Sequence, residues 1–312
     1  MRAHWLWGTS LALALLACQR EPDDPLAAAR AACANAQSEA EARINGCTTL
    51  IESGALGEAE RAEALANRGA AAEEAGDAES ALGDFEAALA LDAAQPLATL
   101  GRARVLVASG QLDAAQPLAQ RLVQGGDYLS DAHQLIGAIA LTRGQQDAAI
   151  LAFDAAIQAD GRNALALAGR ARAKQQLGDF DGALTDFSTA ISVNPQLAPA
   201  YAGRCWVRVQ MPEPDLAAAR RDGDEAAQLD PRGVQGQLCR GLLQLRAGEW
   251  EGARMSYEAA LEVEPGNPAA LFGRGVARRR SGDAQGRDDM NQARDFEANI
   301  GRTFEELGVQ TF

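Results

Sequence analysis

A period of 34 residues limits the fold of this chain more than any other feature. Glycines recur at that interval through most of the sequence: Gly76, Gly110, Gly144, Gly178, Gly248 and Gly282. The gap of 70 between the fourth and fifth glycines equals 34 plus 36, so one repeat carries an insertion of two residues. A fixed period of this length indicates an array of short structural units that stack on one another.

Two further series share the register of the glycines. A small residue recurs at Ala81, Ala115, Ala149, Ala183, Ala219 and Ala253. Prolines close three successive repeats, at Pro195, Pro231 and Pro265. Hydrophobic residues make up 47% of the 312 residues but aromatic residues only 5%, which favours closely packed helices over sheets. The repeating unit is therefore predicted to be a pair of helices.

A 34-residue helix–turn–helix unit with small residues at these positions resembles the tetratricopeptide-repeat (TPR) family. The family's aromatic residue in the second helix is matched by Phe85, Phe153, Phe187 and Tyr257. Its small residue three places later is matched by Ala88, Ala156, Ala190, Ala226 and Ala260. The resemblance implies an all-α superhelical solenoid of helix–turn–helix pairs, closed by an N-terminal cap helix and a C-terminal capping helix.

About seven repeats are predicted within residues 62–295, and the second is degenerate because Ala119 replaces the aromatic residue. The seventh repeat is shortened. The predicted starts are Ala62, Pro96, Ser130, Ala164, Ala198, Val234 and Pro268. Residues 26–61 are predicted to form the N-terminal helical cap, and residues 296–312, with an amphipathic stretch, the capping helix.

The N-terminus is typical of an exported lipoprotein. Residues 5–17 carry no charge and follow a basic start, as in a secretory signal peptide. The stretch Leu15-Leu16-Ala17-Cys18 resembles a bacterial lipobox, which implies a signal peptide over residues 1–17, lipidation at Cys18 and a tether over residues 18–25. The alternative is ordinary cleavage, with Cys18 present by accident. Gln19 rather than Asp after the cysteine favours the outer membrane over inner-membrane retention, with the protein facing the periplasm.

Position seven of the first helix, usually apolar in the family, is arginine in six repeats: Arg68, Arg102, Arg170, Arg204, Arg240 and Arg274. An aspartate follows 15 to 18 residues later in four of these repeats: Asp84, Asp186, Asp222 and Asp289. The third repeat lacks both, with Ile136 and Ala152 instead. Because an unpaired buried charge is costly, this pattern favours ion pairs inside each repeat over a ladder that binds acidic ligands. Arg102 and Arg240 are expected to face solvent or a neighbouring repeat.

Four cysteines remain after Cys18, and an exported protein meets an oxidising compartment. Cys33 and Cys47 lie before the first repeat, where a disulfide would staple the cap. Cys205 and Cys239 are 34 residues apart on adjacent first helices, so they either form a bridge between repeats or fill small-residue positions.

The TPR resemblance implies a concave groove lined by positions two, five, nine and twelve of each first helix. The predicted protein-binding residues are Leu97, Leu100, Arg104, Val107, Leu141, Arg172, Trp206, Val209, Leu238, Leu242, Leu245, Phe272, Val276 and Arg279, with Asp131, Gln134, Leu165 and Gln175 at the same positions. Leucine, aromatic and arginine side chains suit a segment of another protein, with Trp206 as the chief anchor. The alternative is that some of them pack between repeats or against a tail helix folded into the groove.

No catalytic or cofactor motif is present, so no cofactor and no enzyme activity are expected. His133 is the one histidine after the signal, and no CxxC occurs, which disfavours a metal site. A net charge of −14 disfavours nucleic-acid binding. The predicted function is a lipid-anchored scaffold for another envelope protein, acting in pilus or secretion assembly, barrel assembly or the docking of cell-wall hydrolases. A peptidoglycan- or carbohydrate-binding envelope protein is the alternative.

Overall fold

The computed structural model describes residues 26–311. These residues form seventeen helices and no strand, which confirms the all-α prediction. The helices are α1 Ala27–Ala34, α2 Ala40–Glu52, α3 Glu58–Glu74, α4 Ala78–Leu91, α5 Pro96–Ala108, α6 Leu112–Gly125, α7 Leu129–Thr142, α8 Gln146–Ala159, α9 Ala164–Gln176, α10 Phe180–Val193, α11 Ala198–Gln210, α12 Leu216–Leu229, α13 Val234–Ala247, α14 Trp250–Val263, α15 Pro268–Arg280, α16 Gly286–Phe296 and α17 Ile300–Glu306. The predicted signal peptide, Cys18 and the tether lie outside the described residues.

The described residues divide into two compact units, residues 26–95 and residues 96–311. In the first unit, α1 packs on α2, α2 packs on α3, and α3 and α4 form a hairpin. The segment predicted as a cap helix thus contains two helices, and α3 begins at Glu58, four residues before the predicted repeat start at Ala62.

The second unit is a row of helical hairpins from α5–α6 to α15–α16. We call the first helix of each hairpin, including α3, the A helix and the second the B helix. Each A helix from α5 to α13 also contacts the next A helix, and α17 contacts α15 in the same way. A short helix thus takes the place of an eighth A helix at the C-terminal end.

The periodic glycines lie at the turns between the two helices of the hairpins, and the backbone conformation needed there explains why glycine recurs. All six glycines have positive φ, between 70° and 88°, a conformation that only glycine adopts without strain. The B helix then begins at an N-cap residue, such as Asp179, whose side chain accepts a hydrogen bond from the Gly182 amide at 3.0 Å.

The aromatic residue of the B helix locks neighbouring hairpins together. Phe153 packs against Gly137 of its own A helix and against Gly169 of the next one. A Cβ atom at Gly169 would lie 2.4 Å from Phe153 Cζ, so the ring leaves no room for a larger residue there. Tyr257 lies in the same way between Gly241 and Gly273.

The predicted ion pairs within the repeats are confirmed. In each, the guanidinium donates through Nε and Nη2 to both carboxylate oxygens at 2.7–2.9 Å. The carboxylate side chains are only 4–12% exposed. The pairs are Arg68–Asp84, Arg170–Asp186, Arg204–Asp222 and Arg274–Asp289. Each pair fastens the two helices of one hairpin.

A second cation, which the sequence interpretation missed, joins three of these pairs. Lys174 donates to Asp186 at 2.8 Å. Arg208 likewise contacts Asp222, and Arg278 donates to Asp289 at 3.0 Å. All three lie four residues after the position-seven arginine and therefore on the same helical face, and this spacing was the available signal.

The same arginines also reach the preceding hairpin. Arg170 Nη1 lies 2.6 Å from Asp154 on α8, and Arg204 Nη1 donates to the Ser188 hydroxyl on α10 at 3.2 Å. Arg240, which has no aspartate in its own repeat, pairs with Asp224 on α12 at 3.1 Å. The arginine row therefore stabilises both the hairpins and their stacking.

The four cysteines of the described chain form two disulfides. One joins Cys33 in α1 to Cys47 in α2, within the first unit. The other joins Cys205 in α11 to Cys239 in α13, so it links the A helices of two successive hairpins. All four are almost fully buried.

Candidate functional site

An open cavity of about 950 Å³ lies on the A helices α7, α9, α11 and α13 of the second unit. Its apolar wall is formed by Leu141, Leu165, Trp206, Val234 and Leu238. Side chains at equivalent positions of stacked, similarly oriented helices project from one face, so the repeat itself builds this surface.

Polar side chains complete the wall of the cavity, and most of them are amides. The glutamines that line it are Gln134, Gln175, Gln176, Gln210 and Gln235. The charged lining residues are Arg172 on the wall, and Asp230 and Glu264 in the loops that precede α13 and α15.

Two pairs of wall residues are joined by hydrogen bonds across helices. The Trp206 indole Nε1 donates to the Gln235 carbonyl oxygen at 3.1 Å, which joins α11 to the start of α13. Gln175 Nε2 donates to Gln210 Oε1 at 2.8 Å, which joins α9 to α11. The indole ring is half-buried, so one part of it stays available to a partner.

Four of the fourteen predicted groove residues line the cavity: Leu141, Arg172, Trp206 and Leu238. Their role in binding stays a prediction. Of the lining residues that the sequence interpretation missed, Gln176 and Gln210 lie at position thirteen of their helices, one residue beyond the set that the resemblance supplies. Gln235 lies at position two of its helix, which that set does include.

None of the residues predicted in the second repeat lines this cavity, and the prediction is wrong for Leu100, which is buried. Leu100 is only 2% exposed and belongs to a core between α5, α6 and α7. Val107 packs on the same core, and Leu97 and Arg104 are half-buried.

Four of the six groove residues predicted in the last two repeats are also wrong, as is Val209 of the fifth repeat, because their side chains are buried. Five residues offered as groove wall are at most 5% exposed: Val209, Leu242, Leu245, Phe272 and Val276. They belong to one core cluster with residues of the C-terminal segment, Ile300, Phe304 and Val309. Arg279 is exposed but does not line the cavity.

The C-terminal segment covers this end of the predicted groove. The ring of Phe304 in α17 lies 5.0 Å from that of Phe272 in α15, between ring centroids. After α17 the chain turns back, and Arg280 donates to the Gln310 carbonyl oxygen at 2.9 Å. Gly308 lies against Arg246 of α13, so that a Cβ atom there would be 3.0 Å from the guanidinium carbon. The open groove therefore ends near α13.

Among residues 26–311, no group of three or more His, Cys, Asp or Glu side chains is arranged to hold a metal ion. Within the same residues, no helix has the length and apolar character needed to cross a membrane.

The family model of the tetratricopeptide repeat matches residues 100–164 and 238–286, so the chain contains repeats of this type. The crystal structure of the APC/C hetero-tetramer Cut9–Hcn1 aligns with a TM-score of 0.64 and 15% identity, over 88% of this chain and 54% of that chain. This likeness shows the shared fold.

Two smaller proteins are also similar over part of the chain. A thermophilic TPR protein of Thermus thermophilus aligns with a TM-score of 0.46 and 20% identity, over 57% of this chain and 98% of its own. YrrB, described as a TPR protein with an unusual peptide-binding site, aligns with a TM-score of 0.41 and 19% identity, over 61% and 95%. No curated protein sequence matches the chain.

Proposed function

We propose that this protein is a scaffold without catalytic activity that binds a segment of another protein in the cavity on α7, α9, α11 and α13. The observation that carries the proposal is the half-buried Trp206, held by Gln235 beside Leu165 and Val234 in an open cavity of about 950 Å³. Aromatic and arginine side chains in such a setting supply most of the binding energy at protein interfaces.

We further propose that the protein is a lipoprotein of the outer membrane that faces the periplasm and serves the assembly of envelope proteins. The lipobox ending at Cys18 supports the anchor, and Gln19 supports the outer membrane. The Cys33–Cys47 and Cys205–Cys239 disulfides support an oxidising compartment, because such bonds are rare in reducing ones.

A carbohydrate site is the weaker alternative. That hypothesis depended on two exposed aromatic side chains in the groove, Trp206 and Phe272. Phe272 is fully buried beneath Phe304, so Trp206 is left without a second aromatic platform there.

Capture of envelope proteins by the form lacking residues 1–18 tests the binding proposal, since that form keeps every described residue. Trp206→Ala is expected to abolish capture while the circular dichroism spectrum stays that of the folded protein; a modest fall in melting temperature is expected, because the indole also packs on the core and donates to Gln235. Leu151→Ala is the matched control, because Leu151 is 71% exposed on α8 and does not line the cavity. Equal capture by both variants would move the site away from the cavity.

The anchor is tested separately with the full-length chain. Cys18→Ser is expected to abolish incorporation of labelled fatty acid and to release the protein from membranes into the soluble fraction. Unchanged labelling and membrane association in this variant would refute lipidation at Cys18.

A further inference from the structure

Arg172 differs from the other basic residues of its helix. Arg170 and Lys174, two residues to either side, both donate to Asp186. A step of two residues turns an α-helix by about 200°, so Arg172 faces the opposite side, into the cavity. Its side chain is exposed and has no ion pair or hydrogen bond with any described residue.

Arg172 is also the only cation among the residues that line the cavity in the described chain. The two carboxylates at the rim are engaged in turns. Asp230 accepts a hydrogen bond from the Arg232 amide at 3.1 Å, and Glu264 accepts one from the Asn267 side chain at 2.8 Å. Arg172 is therefore the one charged side chain that the described A helices contribute to the wall of the cavity.

Trp206 lies at the same repeat position of the next A helix, because 206 minus 172 equals the period of 34. Packed helices lie about 8–10 Å apart, so these two positions are separated by about that distance along the groove. A polyproline II segment advances about 3.1 Å per residue with three residues per turn, so side chains three residues apart lie on one face and about 9 Å from each other.

The amide pair Gln175–Gln210 lies close to these two anchors, three residues after Arg172 on α9 and four after Trp206 on α11. The hydrogen bond between the two amides uses one donor and one acceptor. It leaves the Gln175 oxygen as an acceptor and the Gln210 nitrogen as a donor. The N–H and C=O groups of an extended backbone are free to bond to this acceptor and this donor. In a helical segment, the backbone N–H and C=O groups are already bonded to each other.

We propose that the groove binds an extended protein segment in which a carboxylate side chain lies about three residues from a large apolar side chain. The carboxylate pairs with Arg172, the apolar side chain packs on Trp206, and the backbone between them bonds to Gln175 and Gln210. This inference rests on the proposed function, because it names the chemistry of the partner that the cavity accepts.

Selection of peptides from a displayed library of random 12-residue sequences, against the form lacking residues 1–18, tests the inference. Selected peptides are expected to share an Asp or Glu about three residues from a Leu, Phe or Trp. Because hydrogen bonds to charged groups are stronger than neutral ones, Arg172→Gln is expected to weaken their binding about 10- to 100-fold. Arg172→Glu is expected to select peptides with Lys or Arg in place of the acidic residue.

Arg162→Gln is the matched control, because Arg162 is exposed in the loop before α9 and does not line the cavity. Peptides that lose binding with Trp206→Ala but show no acidic residue, or that tolerate Arg172→Gln, would overturn this inference and leave the proposed function standing. A spacing of about seven residues would indicate a helical partner and also overturn it. Peptides unaffected by Trp206→Ala, or no selected peptides at all, would refute both proposals.

Discussion

The ion pair of the fourth repeat gives the sharpest test of how the hairpins are held together. Asp186 is 5% exposed and accepts three hydrogen bonds, from Arg170 Nε and Nη2 at 2.8 and 2.7 Å and from Lys174 Nζ at 2.8 Å. Asp186→Ala removes the acceptor and leaves two cations without their buried partner. We expect this change to destabilise the protein.

The magnitude lies between two limits. Removing one partner of a fully buried pair costs about 3–5 kcal/mol, whereas an exposed pair contributes about 0–1 kcal/mol. Arg170 keeps its contact with Asp154, and both cations are about one fifth exposed, so water recovers part of the loss. We therefore expect a loss of about 2–3 kcal/mol. At about 2–4 °C per kcal/mol for a unit of this size, the melting temperature falls by roughly 4–12 °C.

The pH dependence provides a second reading of the same pair. Burial alone would raise the pKa of the Asp186 carboxyl, but hydrogen bonds from Arg170 and Lys174 outweigh burial and hold the pKa below the ordinary value of 3.8. The stabilisation is therefore complete above the unfolded-state pKa and is lost as the pH falls through the lower folded-state value. The stability difference between the wild type and Asp186→Asn should be largest near pH 7 and shrink below about pH 4.

Thermal and urea unfolding, followed by circular dichroism at pH 7 and pH 3, measure both effects. Asp181→Ala is the matched control, because Asp181 is exposed on the same helix and its loss removes at most about 1 kcal/mol of helix-dipole stabilisation. The reasoning is refuted if the two variants melt alike at pH 7, or if the Asp186→Asn deficit stays the same at pH 3.

Three further predictions concern the core. Tyr257→Phe should stabilise the protein by about 1–2 kcal/mol, because the buried hydroxyl has no hydrogen-bond partner among the described protein atoms. Phe187→Tyr, which adds a hydroxyl at the equivalent buried position, should destabilise it. Urea unfolding that ranks the two variants in the opposite order would contradict this reasoning. Phe304→Ala should cost about 3–5 kcal/mol and increase binding of a hydrophobic dye, since it uncovers the core beneath α17; unchanged stability would show that the segment is not part of that core. The double variant Cys205→Ala/Cys239→Ala should lose about 3–4 kcal/mol of unfolding free energy, as expected for a closed loop of this length. A reductant should therefore lower the melting temperature of the double variant by less than that of the wild type; equal shifts would contradict a stabilising bridge at this site.

The repeat fold could be predicted because each element of the pattern answers a local requirement. A glycine such as Gly178 is needed at φ 82° to end the A helix, and a carboxylate such as Asp186 is needed where a half-buried arginine faces the B helix. Both requirements recur along the array, so the sequence displays them several times in one register. The third repeat was the informative exception, because Ile136 replaces the position-seven arginine and Ala152 replaces its aspartate partner.

The limits of the groove could not be predicted in the same way. A repeat position describes only where a residue lies on its own helix. By that criterion Phe272 and Trp206 are both predicted to line the groove. Their difference comes from residues beyond the array, since Phe304 packs on Phe272, whereas Trp206 stays on the wall of the open cavity. The covering residues have no periodic signal of their own, and only the three-dimensional packing shows where they lie.

The two faces of the A helix explain how one sequence pattern serves both stability and binding. Positions seven and eleven lie within about 40° of each other around the helix, and their cations are used by the buried aspartate, as Arg170 and Lys174 show. Position nine lies about 200° away from position seven and takes no part in those pairs, which frees it to vary: it is Arg172 on α9 and Trp206 on α11. A substitution at position seven should therefore change stability whatever the partner, and one at position nine of α9, where Arg172 is exposed, should change partner choice at nearly constant stability.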